Sequence, residues 1–182
     1  MVKSDEDLMD DVRRGARGAF ETLFGRYREP VWRFFRRRAA DGGAAEELAQ
    51  DTFVAVLEGA GRYQQRGSFR SYLFGIAFNV LQSERRRSAR RPSVGIDVDP
   101  PSADAPPDAA IWVRDALLTL DEPEREILML REYEQLSYQE IADVRGIPLN
   151  TVRSQLFRAR GTMKTALEMK TSEATRLHHA RR

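Results

Sequence analysis

The sequence predicts an all-α protein built of two small helical domains joined by an acidic, proline-rich linker. Three observations favour this fold class. Apolar residues recur at three- and four-residue steps in most of the chain, as they do along one face of a helix. No window alternates apolar and polar residues as a half-buried strand does. Five of the eight prolines fall between residues 92 and 107, where they block both helix and central strand.

The proline-rich stretch at 92–109 divides the chain into an N-terminal domain at 5–91 and a C-terminal domain at 110–167. The net charge is +5 over residues 1–91, −4 over the linker and +1 over the remainder, so the overall charge of +2 hides an asymmetry. Folding does not require such an asymmetry, which instead indicates charged partners. The tail at 168–182 has no predicted role.

The composition also argues against several classes of protein. There are no cysteines, so disulfides and thiolate metal sites are ruled out. No apolar run approaches the roughly 20 residues that span a bilayer, and the N-terminus lacks the apolar core of a signal peptide; we expect a cytoplasmic protein without membrane insertion. The two histidines, His178 and His179, lie in the tail. With no nucleophile–base pair, phosphate loop or carboxylate–histidine spacing, we expect no catalytic residue, metal or cofactor.

In the N-terminal domain, the apolar periodicity predicts helices at 19–38, 44–58 and 69–90. Pro30 falls inside the first of these patterns, so a kink or a short break is expected there. A polar loop at 62–68 connects the second helix to the third, and the third helix ends in a cluster of arginines. This half is therefore predicted to be helical on both sides of one polar loop.

Capping residues mark the helix starts in the C-terminal domain. Asp121 is an N-cap candidate with a proline and a glutamate in the turn that follows, and Ser137 with Glu140 has the spacing of a capping box. The predicted helices are 110–119, 122–134, 138–144 and 149–166.

The segment 137–160 has the spacing of a helix-turn-helix. Ala142 is small where the two helices would cross, and Gly146 can adopt a positive φ in the turn. The second helix then carries residue types that contact phosphates and base edges. These candidates are Asn150, Thr151, Arg153, Ser154, Phe157 and Arg158. An ordinary helical hairpin with a solvated basic face is the alternative.

Aromatic and basic side chains are interleaved over residues 62–91, which is the composition of a surface that stacks unpaired bases and holds their phosphates. Aromatic residues at helical spacing also occur in cores, and runs of arginine are often solvated, so composition leaves both interpretations open. Phe74, Phe78 and part of Phe69 are expected in the core. Tyr63 lies in the polar loop and is a candidate for base stacking.

Five segments of the chain carry a resemblance to a known family: AFETLF (19–24), AEELAQDTF (45–53), RGSFRSYLFGIAFN (66–79), LSYQEIA (136–142) and TVRSQLFRAR (151–160). From about residue 8 to 167, the chain resembles the extracytoplasmic-function (ECF) sigma factors, a group of the sigma-70-type RNA polymerase sigma factors. The resemblance implies that the N-terminal domain is sigma region 2, which binds the polymerase clamp and melts the minus-10 element. It implies that the C-terminal domain is region 4, which reads the minus-35 element as duplex.

Core RNA polymerase and promoter DNA are the partners that this resemblance implies. An anti-sigma factor is a candidate third partner, because many relatives are held inactive by one. The acidic linker would then thread toward the active-site cleft and RNA exit path of the polymerase. A helix-turn-helix regulator that binds duplex DNA without polymerase is the rival interpretation. It would explain 137–160 but would give residues 44–91 and the linker no role.

The resemblance also assigns residues to surfaces. Asn79 matches the family asparagine that helps to hold the flipped minus-10 base, and its side chain can both donate and accept hydrogen bonds. Tyr72 stands where tryptophan is frequent in the family. The candidates for minus-10 contact are Tyr63, Asn79, Arg62, Arg66, Arg85 and Arg86. The candidates for polymerase contact are Glu47, Gln50 and Asp51, and those for minus-35 contact are the six residues of the helix-turn-helix named above.

Overall fold

The computed structural model describes residues 3–38, 42–88 and 109–180, which contain eight α-helices, one 3-10 turn and no strand. The helices are α1 (Asp5–Arg13), α2 (Arg17–Arg36), α3 (Gly42–Gly59), α4 (Phe69–Ser88), α5 (Ala109–Leu118), α6 (Glu122–Glu132), α7 (Tyr138–Arg145) and α8 (Leu149–Ala180), and the 3-10 turn is Ala60–Arg62. The all-α prediction is confirmed. The predicted linker at 92–109 lies outside the described residues except for Ala109, which begins α5.

Helices α1 to α4 pack into one unit around an aromatic core. The rings of Phe34 on α2 and Phe74 on α4 lie 5.6 Å apart between centroids, which joins the two longest helices of the unit. Phe69 and Phe78 are also buried, as the periodicity predicts. This N-terminal unit positions the loop before α4 and the exposed face of α3.

Helix α1 is not predicted from the periodicity. The Ser4 side chain caps it by accepting a hydrogen bond from the Asp7 backbone N–H at 3.1 Å. Tyr27 on α2 donates a 2.5 Å hydrogen bond to Asp5 and so holds the start of α1 against the unit. The helix is only nine residues long, and tertiary contacts of this kind stabilise it more than its own propensity does.

Helix α2 continues through Pro30, where a kink or a short break is expected from the sequence. A proline removes one backbone donor from the ladder. The next turns bury Val31, Phe34 and Phe35 against the rest of the unit. This packing stabilises the helix on the C-terminal side of Pro30, so of the two expected outcomes, a kink or a short break, the break does not occur.

Helices α5 to α8 form the second unit, and its predicted caps are confirmed. The Asp121 side chain accepts from the Glu124 N–H at 2.9 Å. Ser137 and Glu140 make both bonds of the capping box, at 3.2 and 2.7 Å. Gly146 ends α7 with φ of +63°, a conformation that glycine adopts without strain.

Helix α8 continues to Ala180, beyond the end predicted at residue 166. An ion pair of 3.8 Å between Lys170 and Asp115 links this extension to α5. The first part of the predicted tail at 168–182 is therefore a continuation of the helix that carries the candidate DNA contacts. Of the described helices, none is long and apolar enough to cross a membrane.

Candidate nucleic-acid interface

A cleft of about 390 Å³ lies between the loop that precedes α4 and the first turns of α4. Its lining residues are Tyr63, Gln64, Arg66, Gly67, Ser68, Ser71, Tyr72, Gly75, Ile76 and Asn79, with Asp143 and Val144 from α7. The loop folds back so that Tyr63 and Asn79, which are 16 residues apart in sequence, line the same cleft. Asn79 is exposed, so its amide is available to a ligand.

Tyr63 is only 6% exposed and belongs to the floor of this cleft. Its ring meets that of Tyr72 edge to face at 4.9 Å between centroids. The Tyr63 hydroxyl is buried and makes no hydrogen bond within the described residues. Burial raises the pKa of Tyr63 to about 12, so the phenol is neutral at physiological pH. The aromatic ring that is more open to a ligand is that of Tyr72, which is half-buried.

The four arginines assigned to minus-10 contact differ in their surroundings. Arg62, Arg66 and Arg86 are exposed, and the last two donate to neighbouring polar side chains, Gln64 at 2.7 Å and Ser83 at 2.9 Å. Arg85 instead bridges to the C-terminal unit. Its guanidinium donates to Glu122 at 2.9 Å and to Glu126 at 3.1 Å.

The start of α8 presents the second set of candidates on one face. Val152, Leu156 and Ala159 are buried against the rest of the C-terminal unit. The opposite face carries Phe157, which is 81% exposed. Around it runs a shallow depression of about 490 Å³, lined by Tyr138, Arg153, Phe157, Arg158, Arg160, Gly161 and Lys164.

Hydrogen bonds orient several side chains on that face. Arg153 donates to the Asn150 side chain at 3.2 Å, and the Ser154 hydroxyl donates to the Thr151 carbonyl at 3.0 Å. The Arg158 Nε atom donates to Glu124 on α6 at 2.6 Å. This charge-assisted bond fixes one edge of an otherwise exposed guanidinium.

Glu47, Gln50 and Asp51 are all exposed on α3, as predicted. Val54 and Leu57 continue the same face and are also exposed, which the sequence interpretation missed. Their spacing holds the signal, because Val54 follows Gln50 by four residues and Leu57 follows Val54 by three. Gln50 also lines a groove of about 520 Å³ between α2 and α3 that includes Phe24, Arg28, Glu29, Trp32, Glu46, Ala49 and Phe53.

A buried group of charges, here called the Arg38 cluster, joins the two units through Arg37, Arg38, Glu126 and Glu134. Arg38 donates to Glu126 and to Glu134, at 3.1 Å in each case. The exposed fractions of these three side chains are 1%, 3% and 1%. The cluster connects residues 88 and 96 positions apart in sequence, so no local pattern could have revealed it.

The pKa values of the two carboxylates of the Arg38 cluster are shifted in opposite directions. Burial raises the pKa of Glu126, but the guanidiniums of Arg38 and Arg85 outweigh that effect and hold the pKa below its usual range. Burial also raises the pKa of Glu134, and there Arg38 with the more distant Arg37 is too weak to reverse it. Glu126 therefore loses its proton more readily than Glu134 does.

The capping box of α7 also contacts the cleft. The Ser68 hydroxyl, which caps the start of α4, donates to Glu140 of that box. Burial raises the pKa of Glu140, but hydrogen bonds from Ser68 and Ser137 outweigh it and hold the pKa below its usual range. The described residues contain no group of three or more His, Asp or Glu side chains placed to hold a metal ion.

Comparison with known proteins agrees with this geometry. The family described as Sigma-70 region 2 matches residues 23–91, and the family described as Sigma-70, region 4 matches residues 110–163. The fold resembles that of the solved structure of CnrH in complex with the cytosolic domain of CnrY, with a TM-score of 0.70 and 24% identity over 92% of this chain and 99% of that one. It also resembles the sigma factor RpoE in complex with the anti-sigma factor NepR from Bartonella quintana, with a TM-score of 0.69 and 21% identity over 82% and 96%.

Curated relatives extend the match to nearly the whole chain. The RNA polymerase sigma-H factor of Pseudomonas aeruginosa is 30% identical over 94% of this chain and 98% of its own. The RNA polymerase sigma factor CarQ of Myxococcus xanthus is 33% identical over 82% of this chain and 90% of its own. The ECF RNA polymerase sigma-E factor of Haemophilus influenzae is 27% identical over 91% and 96%. The chain therefore belongs to the extracytoplasmic-function group of the sigma-70-type RNA polymerase sigma factors.

Proposed function

We propose that this sigma factor divides promoter recognition between its two units. The N-terminal unit, whose boundaries we place at 5–91, binds core RNA polymerase and captures a base of the minus-10 element. The C-terminal unit, at 110–167, reads the minus-35 element as duplex, and the segment 92–109 connects the two. The chain itself carries out no chemistry, since it acts by binding and the polymerase forms the bonds.

The cleft at the start of α4 is the observation that carries this proposal. An unstacked base needs an aromatic surface and a hydrogen-bonding edge, and nearby cations must hold its phosphates. Tyr72 with Tyr63 supplies the first, Asn79 supplies the second and Arg66 supplies the third. A protein that binds only duplex DNA has no use for such a cleft, so the cleft favours a sigma factor over the rival regulator.

The exposed face of α8 supports the assignment of duplex reading to the C-terminal unit. Arg153, Ser154, Phe157 and Arg158 project from the first turns of the second helix of the helix-turn-helix, which is the part that enters the major groove. Arginine can pair with guanine in two hydrogen bonds, and an exposed aromatic ring can contact a thymine methyl group.

The face of α3 supports the assignment of polymerase binding. It combines the polar residues Glu47, Gln50 and Asp51 with the exposed apolar residues Val54 and Leu57. Covering these apolar side chains with a partner protein would remove them from water, which favours binding. Binding to polymerase and DNA also places the action of this chain in the cytoplasm, and an anti-sigma factor is a candidate inhibitor of the same surfaces.

The decisive experiment is in vitro transcription with purified core RNA polymerase on a library of random promoter sequences. The chain is expected to co-elute with core in gel filtration and to direct initiation from a subset of the library. Core alone and the chain alone are the matched controls. Binding to duplex DNA without any stable complex with core would establish the rival regulator instead.

A further inference from the structure

Helix α1 contacts both ends of the segment 63–68, here called the cleft loop. Before the loop, α1 packs against the 3-10 turn Ala60–Arg62. After the loop, the Glu6 carboxylate of α1 accepts a 2.8 Å hydrogen bond from the N–H of Phe69, the first residue of α4. The loop that closes the minus-10 cleft is thus held on both sides by a helix outside the cleft lining.

Hydrogen bonds within the cleft loop fix its local turn rather than its position. The Arg66 N–H donates to the Gln64 carbonyl at 2.8 Å, and the Arg66 guanidinium donates to the Gln64 side chain at 2.7 Å. Both bonds join residues two positions apart, so they are kept when the loop moves as a whole. Contacts at the ends of the loop must therefore set its distance from α4.

The Phe69 N–H lies where the cleft loop becomes helix α4. The first four N–H groups of a helix have no partner within that helix. Ser68 satisfies one of them, because its hydroxyl accepts from the Ser71 N–H at 3.1 Å, and Glu6 satisfies that of Phe69. A carboxylate is favoured at this place, since the N-terminus of a helix carries partial positive charge. Glu6 therefore adds to the local cap of α4 a charge-assisted bond from another helix.

The ring of Phe69 connects this bond to the aromatic surface of the cleft. It is buried and lies 6.2 Å from the Tyr72 ring, which in turn lies 4.9 Å from the Tyr63 ring. Burial is the larger cause of the raised pKa of Tyr63, and the negative charge of Glu6 adds to it, so the carboxylate also lies near the Tyr63 hydroxyl. Close packing leaves such rings little freedom to move separately. A displacement at Glu6 would therefore reach both tyrosines.

Other contacts keep α1 in place without Glu6. Leu8 and Met9 are buried in the core of the N-terminal unit, and Tyr27 donates to Asp5 at 2.5 Å. The Ser4 cap belongs to the backbone of α1 itself. Removal of the Glu6 side chain should therefore release the end of the cleft loop while α1 stays docked.

We propose that Glu6 is a positioning residue for base capture: it holds the Phe69 N–H and so sets the cleft loop at the distance from α4 at which Tyr63, Tyr72 and Asn79 contact one base. Glu6 acts through the loop and touches no DNA. The proposal rests on the base-capturing function proposed above for the cleft.

The test measures how much of the affinity for a single strand depends on each base. Oligonucleotides with the minus-10 element of promoters that initiate in vitro are bound to the holoenzyme, and each base in turn is replaced by an abasic site. Wild type is expected to lose about tenfold in affinity at the position that enters the cleft, because that base is stacked there. Glu6→Ala is expected to lose only about twofold at this position. Fluorescence anisotropy of labelled oligonucleotides measures both losses.

Two variants isolate the hydrogen bond. Glu6→Gln keeps an oxygen that can accept from the Phe69 N–H and is expected to restore most of the tenfold loss. Asp7→Ala is the matched control, since it removes an exposed carboxylate from the same turn of α1 and is expected to behave as wild type. Hydrogen exchange of the Phe69 amide, followed by NMR of the free chain, should become about tenfold faster in Glu6→Ala and stay unchanged in Asp7→Ala.

The comparison of intact and abasic strands separates positioning from a general loss of structure. A loosened N-terminal unit would weaken both strands alike and leave the tenfold loss on base removal intact, which would overturn the proposal. It would also be overturned if Glu6→Gln behaved as Glu6→Ala does, or if the exchange of the Phe69 amide did not change. If wild type itself loses no affinity at any position, the base-capturing function of the cleft is wrong, and the role of Glu6 falls with it.

Discussion

Two aromatic side chains assigned to promoter contacts, Tyr63 and Phe157, lie in opposite environments. Phe157 is 81% exposed on the outer face of α8, whereas Tyr63 is 6% exposed beneath the cleft and packs against Tyr72. In the proposed function Phe157 contacts the base edges of a duplex, which are present before the protein arrives, so this side chain can be exposed to solvent in the free protein. The proposed ligand of the cleft, an unstacked base, exists only after the duplex melts, and in the free protein Tyr63 packs against Tyr72 instead.

The first and largest contrast is in stability. Tyr63→Ala removes a buried ring and is expected to lower the free energy of unfolding by about 3 kcal/mol or more. Phe157→Ala removes an exposed ring and is expected to change it by less than about 0.5 kcal/mol. Urea titrations followed by circular dichroism would measure both. Equal losses of stability in the two variants would contradict the burial described here.

The second contrast concerns strand opening. In the holoenzyme, Asn79→Ala is expected to bind core and to find the minus-35 duplex, but to open the minus-10 element about a hundredfold less, since unstacking costs a few kcal/mol. A fluorescent base analogue in the minus-10 element would report opening. A template already mismatched there should restore initiation in part. Gln82→Ala, which removes an amide one turn further along α4, is the matched control.

Full opening of intact duplex by Asn79→Ala would place the base-capturing pocket elsewhere. Rescue by the mismatched template separates a defect in base capture from a defect in polymerase binding, because only the first is relieved when the bases are already unpaired.

The third prediction addresses the exposed face of α8. Arg158→Ala is expected to weaken duplex promoter binding by roughly 1–3 kcal/mol if the guanidinium reads a base, with relaxed specificity at one position. If it contacts only phosphate, binding to all sequences should weaken alike and the salt slope should fall by about one. Binding titrations of the holoenzyme on matched and substituted promoters at several salt concentrations distinguish these outcomes. Unchanged affinity in Arg158→Ala and in Ser154→Ala would favour the ordinary hairpin.

The smallest expected effect on stability is at α3. Asp51→Arg reverses an exposed charge and should change the free energy of unfolding by less than about 0.5 kcal/mol. It should nevertheless weaken binding to core polymerase, measured by fluorescence anisotropy of the labelled chain. Glu21→Arg is the matched control, because it reverses an exposed charge on α2, away from this face of α3. A correctly folded Asp51→Arg variant with unchanged affinity for core would remove this face from the polymerase surface.

Local signals in the sequence predicted most of the helices well. The capping box at Ser137 and the glycine at 146 act through bonds and dihedral angles within a few residues, so the sequence alone reveals them. Helix α1 was missed, and the sequence could not decide whether Pro30 breaks α2, because side chains from other helices stabilise both. The length of α8 was underestimated where its apolar periodicity fades.

The sequence indicated which residues could form the candidate nucleic-acid interface, but it did not indicate how exposed each side chain is. Asn79 and Arg66 do line one cleft, but the burial of Tyr63 depends on a ring contributed by α4, and the engagement of Arg85 depends on carboxylates of α6. Val54 and Leu57 are apolar but exposed, and the apolar periodicity of 44–58 does not reveal that exposure. Such features arise from long-range packing, which periodicity does not encode.

The two-sided construction of α8 has a consequence for how this sigma factor can diverge. Val152, Leu156 and Ala159 hold the helix in place, and the side chains proposed to contact the promoter lie on the opposite side. Duplicated copies of the gene could therefore acquire new promoter preferences at positions 153, 154 and 157 with little loss of folding stability. Position 158 is less tolerant of substitution, because the Arg158 guanidinium donates a hydrogen bond to Glu124. A new specificity at this position would require a second substitution on α6.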